Sequence, residues 1–203
     1  MRRRKAAAVL ESARTLFLDE GFDATSVDRI AAGAGVSKAT VYSNFADKPA
    51  LLTALVESVT QESAVILARA VQPLDADGPV EERLIEAAMA LAGGVLRPEV
   101  VGLRRLAIGE STRHPDIART YFERGPAATL RLLTEAFARL GVTDAAAAAD
   151  QFAYAVIGPL QDRALLAGAA LDEAAIRAHV HSTVGAFVRA HGEALRLASD
   201  RRP

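Results

Sequence analysis

Six consecutive residues, Lys38 to Ser43, carry one ammonium, three hydroxyls of different reach and two small apolar groups. This set suits hydrogen bonding to a polyanion better than bond making. Lys38 and Tyr42 are long enough to reach phosphates, and Thr40 and Ser43 present short hydroxyls to base edges. Ala39 lets the backbone approach a phosphate or a base closely. These groups share one side only if the segment is helical. Val41 and Phe45, four apart, supply that helix with a buried stripe, and Ser37 is a suitable N-cap. Upstream, Gly35 can take the positive φ of a sharp turn. Before it, Val27, Ile30 and Ala31 fall on one face of a shorter helix. Thr25 and Asp28 stand at capping-box spacing at its start. Two short helices about a tight turn, the second polar outside, have the form of a helix-turn-helix that enters the DNA major groove. The same periodicity also serves an ordinary helical hairpin with a solvated face.

Composition narrows the alternatives. The chain has 203 residues, 51% of them hydrophobic, so it can bury a sizeable core as one large or two small domains. Ala- and Leu-rich stretches without strand or hairpin signals point to helix throughout. With no Cys, there is neither a disulfide frame nor thiolate chemistry. No apolar signal core or membrane-length apolar run stands out, so a soluble cytoplasmic protein is expected. The net charge is −1, so contact with nucleic acid must depend on where charges sit. The densest cluster is Arg2 to Lys5. It reads as a disordered basic arm, either solubilising or placed for phosphate and minor-groove contact, with Arg4 nearest the folded body.

The run Gly21-Phe22, Thr25-Ser26-Val27, Ile30-Ala31, Ala34 through Tyr42, Phe45, Lys48 and Leu51-Leu52 resembles the N-terminal domain of the tetracycline-repressor (TetR) family. The resemblance implies an all-α homodimer that binds a palindromic operator, with a larger C-terminal domain for a small ligand and for dimerisation. It also implies that Lys48 touches the DNA backbone and that Thr25 adds a phosphate contact to its capping role. The expected DNA-contact set is therefore Arg4, Thr25, Ser26, Ser37, Lys38, Ala39, Thr40, Tyr42, Ser43 and Lys48. The expected division is a helix-turn-helix domain over 1–48 and an effector and dimerisation domain over 49–203.

About nine helices are expected, three of them in the head. The first, 4–20, buries Val9, Ala13, Leu16 and Phe17 and ends at Gly21. The fourth, 48–71, is capped by Asp47, carries Pro49 in its first turn and buries Leu51, Leu52, Leu55, Val59, Ile66 and Leu67. Gln72 to Pro79 reads as a linker. The fifth helix, 80–95, frays at Gly93-Gly94, and the sixth covers 98–112. Leu103 to Pro126 resembles the C-terminal domain of AefR-like TetR regulators. A seventh helix, 115–140, kinks at Gly125-Pro126. The eighth, 145–167, is capped by Asp144 and interrupted at Gly158-Pro159. The ninth, 173–197, is capped by Asp172. The last two resemble the helix pair that forms an intersubunit bundle in this family, with Phe152, Ile157, Leu160, Ile176, Val180, Val184 and Phe187 as candidates for the interface. Burial of both helices within one subunit is the alternative.

Leu91, Val95, Leu103, Tyr121, Phe122 and Tyr154 are candidates to line an effector pocket, with core packing as the alternative for each. His179 and His181, two apart, face different ways on a helix and cannot chelate together, so no metal site is expected. Gly33-Ala34-Gly35 lacks the preceding strand and third Gly of a dinucleotide loop. No catalytic residues or cofactor are expected. The reading is a DNA-binding transcriptional regulator, a repressor released from its operator by a small, mainly apolar ligand. The alternative is a constitutive or architectural DNA binder with the same head and no effector; an all-helical enzyme would need converging polar groups that the sequence does not display.

Overall fold

The computed structural model describes residues 2–167 and 171–199. It is all-α, with ten α-helices and one 3-10 turn among the described residues. They are α1 (Arg2–Glu20), α2 (Val27–Gly33), α3 (Lys38–Tyr42), α4 (Lys48–Ala70), the 3-10 turn Gln72–Asp75, α5 (Val80–Val95), α6 (Pro98–Gly109), α7 (Pro115–Arg124), α8 (Pro126–Arg139), α9 (Ala145–Leu166) and α10 (Glu173–Ser199). The count exceeds nine because Gly125-Pro126 separates the expected seventh helix into α7 and α8. Gly125 leaves helical geometry at φ −102°, ψ −94°, and the following Pro opens the next helix.

Two compact units divide the chain, Met1–Gln61 with Gly102–Arg124, and Glu62–Val101 with Gly125–Pro203. The division falls inside α4 and α6. The stretch 102–124 groups with the N-terminal helices, although it lies far along the chain.

In the first unit, Val9, Ala13 and Phe17 of α1 are fully buried at helical spacing. Gly21, at φ +87°, ends the helix. The expected N-terminal arm is corrected here, because the helix begins at Arg2 and Arg4 sits exposed in its first turn. Arg, Lys and Ala are strong helix formers, and no breaker stands between Arg2 and Glu20. From α4, Leu51, Leu52, Leu55, Val56 and Val59 are at most 1% exposed. Lys48–Asp75 is apolar and long enough to cross a membrane by length and composition, contrary to the sequence expectation; 39% of its apolar stretch is buried inside the protein, the Leu51–Val59 stripe included. At Gly102 of α6 an added Cβ would stand 3.0 Å from Leu18 of α1, so the two helices cross closely.

The second unit is built around Phe137 of α8, Phe152 of α9 and Phe187 of α10. Their ring centroids lie 5.1–5.5 Å apart, two pairs edge-on and one stacked. Leu84, Ala88 and Leu91 of α5 join the same core. The expected linker is also corrected, since Leu74 is fully buried there. The buried Arg83 guanidinium donates to the carbonyls of Pro73 and Leu74. Arg139 grips Asp75 at 2.9 and 3.0 Å. Gly93 and Gly94 do not fray; α5 stays helical to Val95. A Cβ on Gly94 would touch Ile66 at 3.4 Å, so Gly94 permits close packing against α4.

Pro159 does not interrupt α9, which continues to Leu166. Asp144 and Asp172 cap α9 and α10 as expected, accepting from Ala147 N at 3.2 Å and Ala174 N at 3.3 Å.

Candidate nucleic-acid interface

The turn between α1 and α2 orients the helix pair. Ser26, not Thr25, is the N-cap of α2, and its hydroxyl accepts from Arg29 N at 3.3 Å. Thr25 is 1% exposed. Its hydroxyl lies 2.8 Å from the Gly21 carbonyl in the turn and 3.2 Å from that of Leu16 near the end of α1. The expected capping and phosphate roles of the Thr25 side chain are therefore corrected, because its hydroxyl faces inward. The cap lies one residue later than the Thr25–Asp28 spacing indicates, in keeping with the stronger capping preference of Ser over Thr.

Helix α2 crosses α1 at close range. A Cβ on Gly33 would lie 2.5 Å from the Ser12 hydroxyl, which donates to the Ile30 carbonyl at 3.0 Å. Gly35, at φ +64°, makes the sharp turn into α3. Gly35 N donates to Ala32 O at 3.1 Å and Val36 N to Ala31 O at 3.0 Å, a paired closure of the helix end. Ser37 then caps α3, accepting from Thr40 N at 3.2 Å. Ser43 and Asn44 donate to the Thr40 carbonyl at 2.9 and 2.8 Å. Both ends of this short helix are thus closed by its own neighbours.

Val41 is 2% exposed and anchors α3. Ser37, Lys38, Ala39, Tyr42 and Ser43 are exposed, as is Ser26, whereas Thr40 is half-buried with its hydroxyl 2.9 Å from that of Ser37. Lys38 pairs with Asp28 of α2 at 3.0 Å, and this hydrogen bond holds the Lys38 ammonium above its ordinary pKa. An exposed pair of this kind is weak, and a phosphate can displace its carboxylate. Lys48 is also engaged within the chain. Its ammonium donates to the carbonyls of Phe22 at 2.8 Å and Thr25 at 3.0 Å, and lies 4.2 Å from the centre of the Phe22 ring. It ties the start of α4 to the turn that positions α2.

Three contacts in this unit had no local signal. Arg29 forks onto Glu20, with one arm at 2.7 Å, and the bond holds the Glu20 carboxyl below its ordinary pKa. Arg113 pairs with Asp23, and His114 stands edge-on to Phe22 with centroids 5.2 Å apart. Arg113 and Asp23 are 90 positions apart, beyond the reach of any periodicity.

The expected pocket residues are not gathered into one unit. Leu91 and Val95 are buried in the second unit, and Leu103 and Tyr121 in the first. Phe122 and Tyr154 are 51% and 64% exposed, each beside a residue that faces the core, Tyr121 and Ala153. Burial raises the Tyr121 phenol above its ordinary pKa, opposed by the charge and hydrogen bond of Arg104. Five of the expected dimer contacts need correction, whereas Ile157 and Ile176 keep part of their surface exposed. Phe152, Leu160, Val180, Val184 and Phe187 are buried within the chain, and Ile157 and Ile176 pack partly buried against the same core. Helical periodicity marks a buried face without saying which partner buries it.

Residues 9–55 match the family described as bacterial regulatory proteins, tetR family. Residues 82–193 match the AefR-like transcriptional repressor C-terminal domain. A solved TetR-family regulator from Mesorhizobium loti MAFF303099 is 26% identical, with a TM-score of 0.88 over 94% of this chain and 98% of that one. The structure titled flavonoid-responsive regulator FrrA is 33% identical, with a TM-score of 0.66 over 93% of this chain and 97% of its own. YdeS of Bacillus subtilis strain 168, an uncharacterised HTH-type transcriptional regulator, is 49% identical over 45 residues, which are 22% of this chain and 23% of YdeS. The chain thus spans under a quarter of the length of that curated relative. With its C-terminal half and its helix-turn-helix both matched, the chain belongs to the TetR family of bacterial transcriptional regulators.

Proposed function

We propose that the protein is a cytoplasmic repressor that binds a palindromic operator as a homodimer and leaves it when a small, mainly apolar effector binds. The exposed outer face of α3 carries the reading, because its caps and Val41 fix the helix and leave Lys38, Ala39, Tyr42 and Ser43 outward. In this reading 1–48 reads DNA and 49–203 senses and dimerises. Two heads would enter successive major grooves about 34–36 Å apart. Tyr42 and Lys38 contact phosphates, Ser43 and Thr40 base edges, and Arg4, Ser26 and Ser37 flank them. Lys48 keeps one ammonium proton for a phosphate beyond its two carbonyl bonds.

The dimer contact moves to the outer surfaces of the last two helices. Tyr154, Ala155 and Gly158 of α9 with Ser182 and Ala186 of α10 combine one exposed aromatic with small residues that allow close approach. The flavonoid-responsive regulator, 33% identical over 93% of the chain, makes planar polyphenols the first effector class to test, with Leu91 and Val95 as lining residues. A hundredfold loss of operator affinity corresponds to about 2.7 kcal/mol of coupling. The test is selection of duplexes from random DNA by the wild-type protein, followed by release with polyphenols. Recovery of no preferred palindrome rejects the reading.

A further inference from the structure

We propose that His114, immediately before α7, is a positioning residue for DNA reading. It acts through Phe22 and touches no DNA itself. The inference rests on the operator-binding reading above, and concerns how the first unit holds its helix pair in register.

Phe22 lies in the turn between α1 and α2 and is 6% exposed. Three groups enclose its ring. Phe17 of α1 lies 5.5 Å away, the Lys48 ammonium sits 4.2 Å from the ring centre, and the His114 imidazole meets the ring edge-on at 5.2 Å and 75°. The same lysine holds the carbonyls of Phe22 and Thr25, and Thr25 immediately precedes the cap of α2. The α6–α7 connection adds a second hold, because Arg113 bonds the Asp23 carboxylate one residue beyond Phe22. The turn is therefore gripped from α4 on one side and from 113–114 on the other. A rotation of Phe22 would tilt α2 and, through the Gly35 turn, α3.

The loop between α6 and α7 is firm enough for this task. His114 N donates to the Glu110 carbonyl at 2.7 Å and Arg113 N to the same oxygen at 3.1 Å. The ion pair alone would hold weakly, since both partners are more than 60% exposed. The ring contact is therefore the main element, and Arg113 assists it.

The test compares wild type, His114→Ala, His114→Phe, Phe22→Leu and the double variant Phe22→Leu/His114→Ala. Two probes are used, a duplex selected by the wild type from random DNA and a scrambled duplex of equal length. Binding is measured well below the melting temperature. His114→Ala should weaken selected-duplex binding about 2- to 12-fold, the range of one aromatic pair, with scrambled-duplex binding unchanged. His114→Phe, which keeps an edge-on ring, should restore most of the loss. The losses of Phe22→Leu and His114→Ala should not add, because Phe22→Leu already removes the ring that His114 meets. Wild-type affinity in folded His114→Ala, or equal losses on both probes, overturns the proposal. If His114→Ala does not fold, failure of His114→Phe to match wild type overturns it. A wild type that selects no duplex removes the operator-binding reading and this proposal with it.

Discussion

His179 Nε2 lies 3.0 Å from the carbonyl oxygen of Ala155, four residues before Pro159. Proline has no N–H, so it leaves the carbonyl four residues back without its helical donor. The imidazole of α10 supplies that donor and also lies 3.1 Å from the Val156 carbonyl. Helix α9 thus crosses a proline without ending, and the two C-terminal helices are joined at that point. A histidine that could not pair with His181 for a metal has a structural partner instead. His179→Ala should destabilise the protein by about 0.5–1.5 kcal/mol, as for one hydrogen bond. Adding Pro159→Ala should recover much of this, since the helix then supplies its own donor. Urea unfolding of both variants measures it; equal losses with and without Pro159 would reject the link.

Gly33→Ala should cost about 1–3 kcal/mol, the range for overpacking, because its Cβ would stand 2.5 Å from Ser12 Oγ. Ser12→Ala should relieve most of this, since the Ser12 Cβ is 3.5 Å from the same point. Thermal unfolding of the single and double variants would report it, and a wild-type melting temperature for Gly33→Ala would contradict the close crossing.

Lys48 and Tyr42 should separate stability from binding. Lys48→Ala loses two charge-assisted bonds that close the turn. It should lower stability by about 1–3 kcal/mol without DNA present, and reduce the salt slope of operator binding by about one. Tyr42→Ala removes an exposed ring and should weaken operator binding while leaving the melting temperature unchanged. An unaltered melting temperature for Lys48→Ala would reject its place in the turn.

Acidification should act on the head through Asp23. The hydrogen bond from Arg113 holds the Asp23 carboxyl below its ordinary pKa, with smaller help from the charges of Arg113, Lys48 and His114. A depressed carboxylate contributes stability above its unfolded pKa, about 3.9, and loses it as pH falls through the lower folded value. Asp23→Asn should therefore flatten the acid limb of the stability profile below about pH 4 and leave the slope between about pH 6 and 8 unchanged. A slope altered only near neutrality would contradict the sign.

Core and dimer contacts should part on α10. Phe187, 8% exposed within the three-ring cluster, should cost about 3–5 kcal/mol of chain stability when changed to Ala. Ala186→Arg, one residue away on the exposed side, should leave the fold intact and halve the mass in sedimentation equilibrium. A dimeric Ala186→Arg variant would remove that face from the proposed interface.

The residue order alone determined the helices with strong local punctuation. Helix α5 runs over 80–95 as its periodicity indicated, and α3 begins after the Ser37 cap and buries Val41. Caps, turns and apolar spacing act within a few residues, so they can be read from a string. Only the tertiary structure decided what each apolar face meets. It turned Phe152, Val180, Val184 and Phe187 inward, gave Thr25 and Lys48 to the turn, and let His179 carry α9 past Pro159. It also brought His114 to Phe22 across the chain. Burial and long-range pairing depend on which surfaces meet after the helices form, and no local pattern encodes that choice.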